Sequence, residues 1–164
     1  MNITEKILAR ASGKTTVSPD DVIFAKVDKV MVHDVSGPGV MKVFDKLQKQ
    51  GIDTSKLHDS SKVWIAEDHF VPSAEKVSAE NIVKLSNFSK KYDIKKHFKY
   101  GMGQYGICHT LSHEEALVNP GEVYVGGDSH TNTTGALGAF ACGLGHTDVA
   151  YVLLNGEIWF KVPE

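Results

Sequence analysis

The chain has 164 residues, 41% of them hydrophobic and 23% charged, which fits one globular domain with its own buried core. Because 18 Lys and Arg residues stand against 20 Asp and Glu residues, the formal charge of -2 argues against nucleic acid or an anionic membrane as partner. No apolar run reaches the roughly 18 residues of a membrane span, and we expect Cys108 and Cys142 to be reduced thiols of a cytoplasmic protein.

Strand and helix patterns alternate through the first part of the chain. Apolar residues at helical spacing predict a helix over residues 4–13. Apolar runs of strand type then predict strand over residues 22–32 and a short buried strand over residues 63–66. Helical spacing returns between these strands, over residues 40–51, and again after the second one, over residues 78–92. This alternation is typical of an α/β domain.

The second part of the chain continues the alternation around a glycine-rich loop. We expect a strand over 94–100, a helix over 114–118, a strand over 123–125, a glycine-rich helix over 136–141, a helix over 147–153 and a strand over 156–163. The loop Gly126-Gly127-Asp128-Ser129-His130-Thr131 directly follows the second of these strands. Since ligands of open α/β sheets usually bind at such loops, this one is the first candidate for a functional site.

Acidic and imidazole side chains follow four of the predicted strand or loop ends. The four sets are His33-Asp34, Asp68-His69, His109 and Asp128-Ser129-His130. If the sheet gathers these ends at one edge, the site contains carboxylate–imidazole pairs, which suit proton transfer near neutral pH. A core hydrogen bond or exposure to water is the commoner role of a single histidine, and we assign that role to His58, His97, His113 and His146.

Two other kinds of site find little support in the sequence. A self-contained metal site is not expected, because neither a His-Glu-x-x-His nor a Cys-x-x-Cys motif is present. A serine hydrolase site is not expected either, because Ser129 does not lie in a Gly-x-Ser-x-Gly elbow. Cys108 precedes His109 directly, but its apolar surroundings favour a buried structural thiol over a reactive thiolate.

Six motifs taken together resemble the N-terminal part of large subunits in the aconitase superfamily, in the branch that isomerises isopropylmalate. They are Glu5-Lys6-Ile7-Leu8, His33-Asp34, Ala66-Glu67-Asp68-His69-Phe70-Val71-Pro72, Gly106-Ile107-Cys108-His109, Gly126-Gly127-Asp128-Ser129-His130-Thr131 and Gly156-Glu157-Ile158-Trp159-Phe160-Lys161-Val162-Pro163. The resemblance implies a three-layer αβα domain with a mixed, mainly parallel sheet, residues 1–164 being the first domain of a longer large subunit. It also implies a hydro-lyase of leucine biosynthesis that converts 2-isopropylmalate into 3-isopropylmalate by removing and re-adding water.

The resemblance also implies roles for seven residues. These are catalysis by Asp68, His69, His109 and Asp128, and substrate binding by His33, Ser129 and His130. In that scheme Asp68 and His69 form an acid pair that protonates the departing hydroxyl group. His109 and Asp128 form a second pair near an iron-bound water, and His33 occupies the position of a substrate-contacting glutamine of aconitases.

The cofactor and the partners are implied in the same way. Complete enzymes of this family hold a [4Fe-4S] cluster on three cysteines, and neither Cys108 nor Cys142 falls on one of them. We therefore expect no cluster on this chain alone, no activity of the chain by itself, and two partners: the remainder of the large subunit and a separate small subunit. Two alternatives stay open. One is a homoaconitase or broad-specificity isomerase, and the other is a stand-alone aconitase-like binding or regulatory domain.

Overall fold

A five-stranded sheet lies at the centre of the computed structural model, which describes all residues from 1 to 164. The helices and strands follow one another as α1 Ile3–Ser12, β1 Val22–Lys26, β2 Lys29–His33, α2 Ser36–Lys49, β3 Val63–Ala66, α3 Lys76–Lys91, β4 Lys96–Phe98, α4 Cys108–Glu114, β5 Val123–Gly126, β6 Phe140–Gly143, α5 His146–Asn155 and β7 Glu157–Lys161. Two 3-10 helices, Ser60–Lys62 and Thr131–Leu137, precede β3 and β6. None of the helices is both long and apolar enough to cross a bilayer.

The central sheet has the strand order β4-β3-β2-β5-β6, and all four neighbouring pairs run parallel. The middle strand β2 pairs with β3 from Val30 to His33 and with β5 from Lys29 to Met31. The remaining strands, β1 and β7, form a separate antiparallel pair. The predicted α/β class and the mainly parallel sheet are therefore confirmed, and the antiparallel pairing is confined to the small second sheet.

The sheet separates two hydrophobic cores, one on each of its faces, because successive side chains of a strand point to opposite faces. On β2, for example, Val30 and Val32 belong to the larger core, whereas Met31 belongs to the smaller one. Residues of α1, α2, α3 and α5 fill the larger core, and residues of α4 pack against Trp64 and Tyr124 in the smaller one. Helices on both faces of the sheet produce the three layers implied by the sequence motifs.

Two of the predicted helices are wrong. Residues 136–141 are not a glycine-rich helix, because the segment ends a 3-10 helix and then enters β6, which pairs with β5. The helix predicted over 114–118 lies earlier in the chain, at Cys108–Glu114, and the residues after it form a turn. In addition, α2 begins at Ser36, four residues before the predicted start.

The parallel sheet also decides where polar side chains meet. The strands β2, β3 and β5 are neighbours with the same direction, so their carboxyl ends lie at one edge of the sheet. His33 is the last residue of β2, Asp68 and His69 follow β3 within three residues, and Asp128 follows β5 within two. The loops that carry these residues therefore start side by side.

Candidate active site at the carboxyl edge of the sheet

The side chains that follow β2, β3 and β5 form one connected cluster at this edge. The rings of His33 and His69 stack with their centroids 4.6 Å apart and their planes 24° from parallel. The helix α4 joins the cluster through its first two residues, because Cys108 hydrogen-bonds Asp68 and His109 hydrogen-bonds Asp128. Residues that are separated by up to 95 positions in the chain thus form a single polar site.

The first pair in this site consists of Asp68 and His69, whose Oδ1 and Nδ1 atoms lie 2.7 Å apart. Burial by itself would raise the pKa of Asp68, but hydrogen bonds from Cys108 and His69 outweigh it and hold that pKa below its ordinary value. The carboxylate is therefore ionised and can only accept hydrogen bonds, so Nδ1 of His69 carries the proton. The side chain of His69 is 42% exposed, and its Nε2 atom has no protein partner.

The second pair consists of His109 and Asp128, and it uses the other imidazole nitrogen. Nε2 of His109 lies 2.9 Å from Oδ2 of Asp128, whose Oδ1 accepts a 2.6 Å hydrogen bond from the hydroxyl of Thr131. Burial opposes ionisation of Asp128, but the hydrogen bonds from Thr131 and His109 hold its pKa below the ordinary value. Nε2 of His109 therefore donates, and its Nδ1 is buried without a partner.

The hydrogen bonds of His33 determine which of its ring nitrogens is a donor. Its Nδ1 accepts the backbone N–H groups of Val35 at 3.1 Å and of Ser36 at 3.2 Å, at the start of α2. The proton of the neutral ring must then reside on Nε2, which is buried and has no partner. Burial, followed by the nearby ring of His69, lowers the pKa of His33, so the ring stays neutral.

The two remaining predicted site residues lie at the open side of the cluster. The side chain of His130 is 79% exposed, and its Nδ1 lies 3.7 Å from Oδ2 of Asp128. Ser129 is exposed as well. All seven residues singled out from the sequence therefore lie at this edge. Five of them are linked by hydrogen bonds or ring stacking, and the other two, Ser129 and His130, follow Asp128 and are exposed to solvent.

Asp34 is a residue of this site that the sequence analysis placed in a pair but did not select. Its carboxylate accepts the backbone N–H groups of Asp68, His69 and Phe70. The only sequence signal for this role is an acidic residue immediately after a strand, and that signal does not say which backbone amides lie within reach.

The assignment of His97 to a structural role agrees with its surroundings. Its Nε2 lies 2.9 Å from Oε1 of Glu67, and both side chains are buried. Oε2 of Glu67 also accepts the backbone N–H of Tyr100. This pair ties the end of β3 to the segment after β4 and makes no hydrogen bond to the candidate site.

Some of these side chains are close enough together to consider a metal ion. His33, Asp34 and His69 each offer a ligand atom, and these atoms lie within 4.8 Å of one another. Hydrogen bonds already engage the carboxylate of Asp34 and the Nδ1 atoms of both histidines. A cation here would have to displace backbone amides from a buried carboxylate, which disfavours a metal site.

The cysteines of the chain do not fit an iron–sulfur cluster. Such clusters need several thiolates, and the chain has two cysteines, both free. Burial, and after it the Asp68 carboxylate, raises the pKa of Cys108 well above its ordinary value, and burial also raises the pKa of Cys142. Both are therefore protonated thiols near neutral pH, and Cys108 is a buried structural thiol, as the sequence favoured.

Comparison with known proteins gives one family and a set of similar large subunits. The family described as "Aconitase family (aconitate hydratase)" matches residues 5–164. The 3-isopropylmalate dehydratase large subunits of Caldicellulosiruptor saccharolyticus and Aquifex aeolicus are each 46% identical to this chain, and that of Thermodesulfovibrio yellowstonii is 44% identical. Each alignment covers 100% of this chain but only 36% or 37% of the relative, so the chain spans little more than a third of their length.

Proposed function

The chain belongs to the aconitase family, and from that premise we propose that it is the acid–base part of a 3-isopropylmalate dehydratase large subunit. The proposed reaction is the isomerisation of 2-isopropylmalate to 3-isopropylmalate by dehydration and rehydration, a step of leucine biosynthesis. The proposal includes the rest of the large subunit and a separate small subunit as partners, residues 1–164 as one domain of the whole, and a cytoplasmic location.

The observation that supports this proposal most directly is the connection between the two imidazole–carboxylate pairs. Asp68 binds the first amide of α4, and the next residue of that helix, His109, binds Asp128. A dehydration needs a proton for the departing hydroxyl group, and an imidazole oriented by a carboxylate can supply one near neutral pH. The site holds two such imidazoles, connected through Asp68 and the start of α4.

His69 is the group that we assign to the departing hydroxyl. The ionised Asp68 accepts the hydrogen bond from Nδ1, so Nε2 is the nitrogen that exchanges a proton. As the carbon–oxygen bond of the substrate breaks, the Nε2 proton moves to the oxygen, and water leaves. A base that we assign to the proposed partner polypeptides takes the proton of the adjacent substrate carbon. In the hydration step Nε2 takes a proton back from the incoming water, and that base returns its proton to carbon.

The other residues are assigned to holding the substrate and orienting the second imidazole. The Nε2–H group of His33, the hydroxyl of Ser129 and the ring of His130 are donors that suit the carboxylates of a small hydroxy-acid. Asp128 fixes the ring of His109 through Nε2, and we assign this pair to the water that is released and re-added.

Aconitase-family enzymes carry a [4Fe-4S] cluster, whereas the two thiols of this chain do not suit its ligation. We therefore propose that the cluster ligands lie in the remainder of the large subunit, and no step of the proposed reaction is assigned to the cluster here. The residues of this chain contribute proton transfer and substrate binding.

The test is turnover by the complete large subunit that contains this chain, purified with its small subunit and with the cluster reconstituted under anaerobic conditions. We expect isopropylmalate to be dehydrated with a kcat/KM at least about 10-fold above that for homocitrate, since a substrate side chain of different size is worth about that factor. Comparable turnover of both would favour a broad-specificity isomerase. Faster turnover of homocitrate would favour a homoaconitase, and no turnover of either would contradict the proposed function.

A further inference from the structure

We propose that Asp34 is a positioning residue for the acid pair formed by Asp68 and His69. Its carboxylate fixes the turn after β3, so that Nδ1 of His69 meets Asp68 and Nε2 stays available for proton exchange. The effect on turnover rests on the proposed function, whereas the effect on the geometry of His69 does not.

The contacts of Asp34 are unusual in number and in direction. Its two oxygens accept backbone N–H groups from three successive residues, with distances of 3.4 Å to Asp68, 3.2 Å to His69 and 2.6 Å to Phe70. Asp34 follows β2, whereas these three residues follow β3. One side chain therefore holds the loop of a neighbouring strand through the backbone of the residues that carry the chemistry.

Burial makes this anchor dependent on its amides. The side chain of Asp34 is 0% exposed, and the structure places no Lys or Arg side chain in an ion pair with it. A buried carboxylate is costly unless hydrogen bonds satisfy it. The three amides do so here, and they are available only while the turn after β3 keeps its present shape. The buried carboxylate of Asp34 therefore needs the amides of the turn, and the turn is held in its shape by that carboxylate.

The pair has a second anchor, which holds the side chain of Asp68, whereas Asp34 holds the backbone of the turn. Oδ2 of Asp68 accepts the amide of Cys108 at 2.6 Å, which holds the carboxylate against α4. Asp34 instead holds the backbone of His69, and its own Oδ1 lies 3.7 Å from Nδ1 of that ring. The 2.7 Å contact between Asp68 and His69 therefore needs both anchors, because loss of Asp34 frees the turn while the Asp68 carboxylate stays at the helix.

Asp34 also relates His69 to His33. It is the next residue after His33, and the rings of the two histidines stack 4.6 Å apart. The side chain of Asp34 and the backbone that it holds thus set the distance between a proposed proton donor and a proposed substrate-binding group. Displacements of about 1 Å in such groups can lower rates by about 100-fold.

The first experiment measures the tautomer of His69, that is, which ring nitrogen carries the proton, by imidazole nitrogen NMR on the 164-residue chain. In the unaltered chain we expect the neutral ring to carry its proton on Nδ1, because that atom donates to Asp68. Asp34→Asn replaces one of the two accepting oxygens by an NH₂ group, which cannot accept a hydrogen bond from the backbone N–H groups of residues 68–70. We therefore expect the Nδ1–H form of His69 to be less populated in this variant. If the variant does not fold, Asp34→Glu, which keeps the charge but not the distance, replaces it with the same expected loss.

Asp28→Asn is the matched control for this experiment. Asp28 also accepts a backbone amide, that of Val123 at 2.8 Å, but it precedes β2 and so lies at the opposite edge of the sheet. We expect Asp28→Asn to leave the tautomer of His69 unchanged even where it lowers stability. A folded Asp34 variant in which His69 keeps its Nδ1–H form would overturn the proposal.

The second experiment measures kcat/KM of the complete enzyme in a double-mutant cycle. We expect Asp34→Asn to lower kcat/KM by about 10- to 100-fold, but by less than about 2-fold when His69→Gln is already present. Equal losses in both backgrounds would mean that Asp34 has only a structural role and would overturn the proposal. If the enzyme does not turn over isopropylmalate but the NMR change is seen, the proposed function fails and the positioning role stands.

Discussion

The backbone N–H of Cys108 donates a 2.6 Å hydrogen bond to Oδ2 of Asp68, and this contact links the two proposed acid–base pairs. Cys108 is the first residue of α4, and the following residue, His109, pairs with Asp128. The carboxylate of one pair thus holds the start of the helix that carries the imidazole of the other. The two pairs are therefore joined through one residue, Cys108.

The first prediction concerns the charge of Asp68. We expect Asp68→Asn to lower kcat of the complete enzyme by about 10²- to 10⁴-fold, because the imidazole of His69 loses the carboxylate that orients it through Nδ1. The measurement is initial-rate kinetics with isopropylmalate. Asp59→Asn is the matched control. Asp59 also accepts a backbone amide, that of Ser61, but it precedes β3 and so lies at the edge of the sheet opposite to the site. A kcat of Asp68→Asn within about 10-fold of the unaltered enzyme would contradict the proposed role.

The second prediction concerns the contribution of His33 to stability. His33→Ala removes the acceptor of two amides at the start of α2, so we expect the free energy of unfolding to fall by about 1–3 kcal/mol. Urea unfolding of the chain measures this change. His130→Ala removes the same side chain from an exposed position, and we expect a change below about 0.5 kcal/mol. Equal losses in the two variants would show that the amide contacts of His33 contribute nothing.

The third prediction is the dependence of stability on pH. The folded chain holds the pKa of His33 below its ordinary value of 6.5, so the unfolded chain takes up that proton first as the pH falls. Stability should decrease as the pH falls below about 6.5. Asp68 and Asp128 have pKa values held below 3.8, so their contribution is present above pH 3.8 and is lost as the pH falls through their folded pKa values.

Urea unfolding at a series of pH values separates these two phases. We expect His33→Gln to remove its share of the upper phase and to leave the lower phase in place, because glutamine does not titrate. If the unaltered chain and His33→Gln lose stability in parallel between about pH 7 and about pH 5, the neutral state of His33 in the fold is not supported.

The fourth prediction concerns the close approach of β6 to the loop after β5. A Cβ atom on Gly143 would overlap the carbonyl oxygen of Asp128, and backbone cannot rotate away as a side chain can. We expect Gly143→Ala to lower the free energy of unfolding by about 1–3 kcal/mol and to lower kcat, since Asp128 must move. Gly135→Ala is the control, because a Cβ there meets no atom within 4 Å, and a stability change as large as that of Gly143→Ala would refute the overlap.

Four of the five strands of the central sheet, all but β6, could be predicted from the sequence because their pattern is local. Val63–Ala66 and Val123–Gly126 are short apolar runs that end in polar residues, which is typical of buried parallel strands. If these strands share a direction, Asp68 and Asp128 lie at one edge of the sheet, and the structure supplies that shared direction. The position of the candidate site, directly after these strands, could therefore be predicted from the sequence.

The start of α4 could not be predicted, because its cause is distant in sequence. The amide of Cys108 is satisfied by Asp68, 40 residues earlier, and no residue beside Cys108 supplies a side-chain cap. The segment 136–141 misled in a similar way, since the helical spacing of its small residues is overridden by the pairing of β6 with β5. The anchoring role of Asp34 escaped notice for the same reason, because its partners follow another strand.

The position of β2 between β3 and β5 has a consequence for the order of folding. Its contacts with β3 close a loop of moderate length, whereas Asp28 and Val123, at its contact with β5, are 95 residues apart. Contacts between distant segments form late because closing a long loop costs more entropy. A nascent or partly folded chain can thus assemble His33, Asp34 and the turn with His69 before β5 pairs with β2 and brings Asp128 to the same edge of the sheet. The site is then complete only after this last pairing.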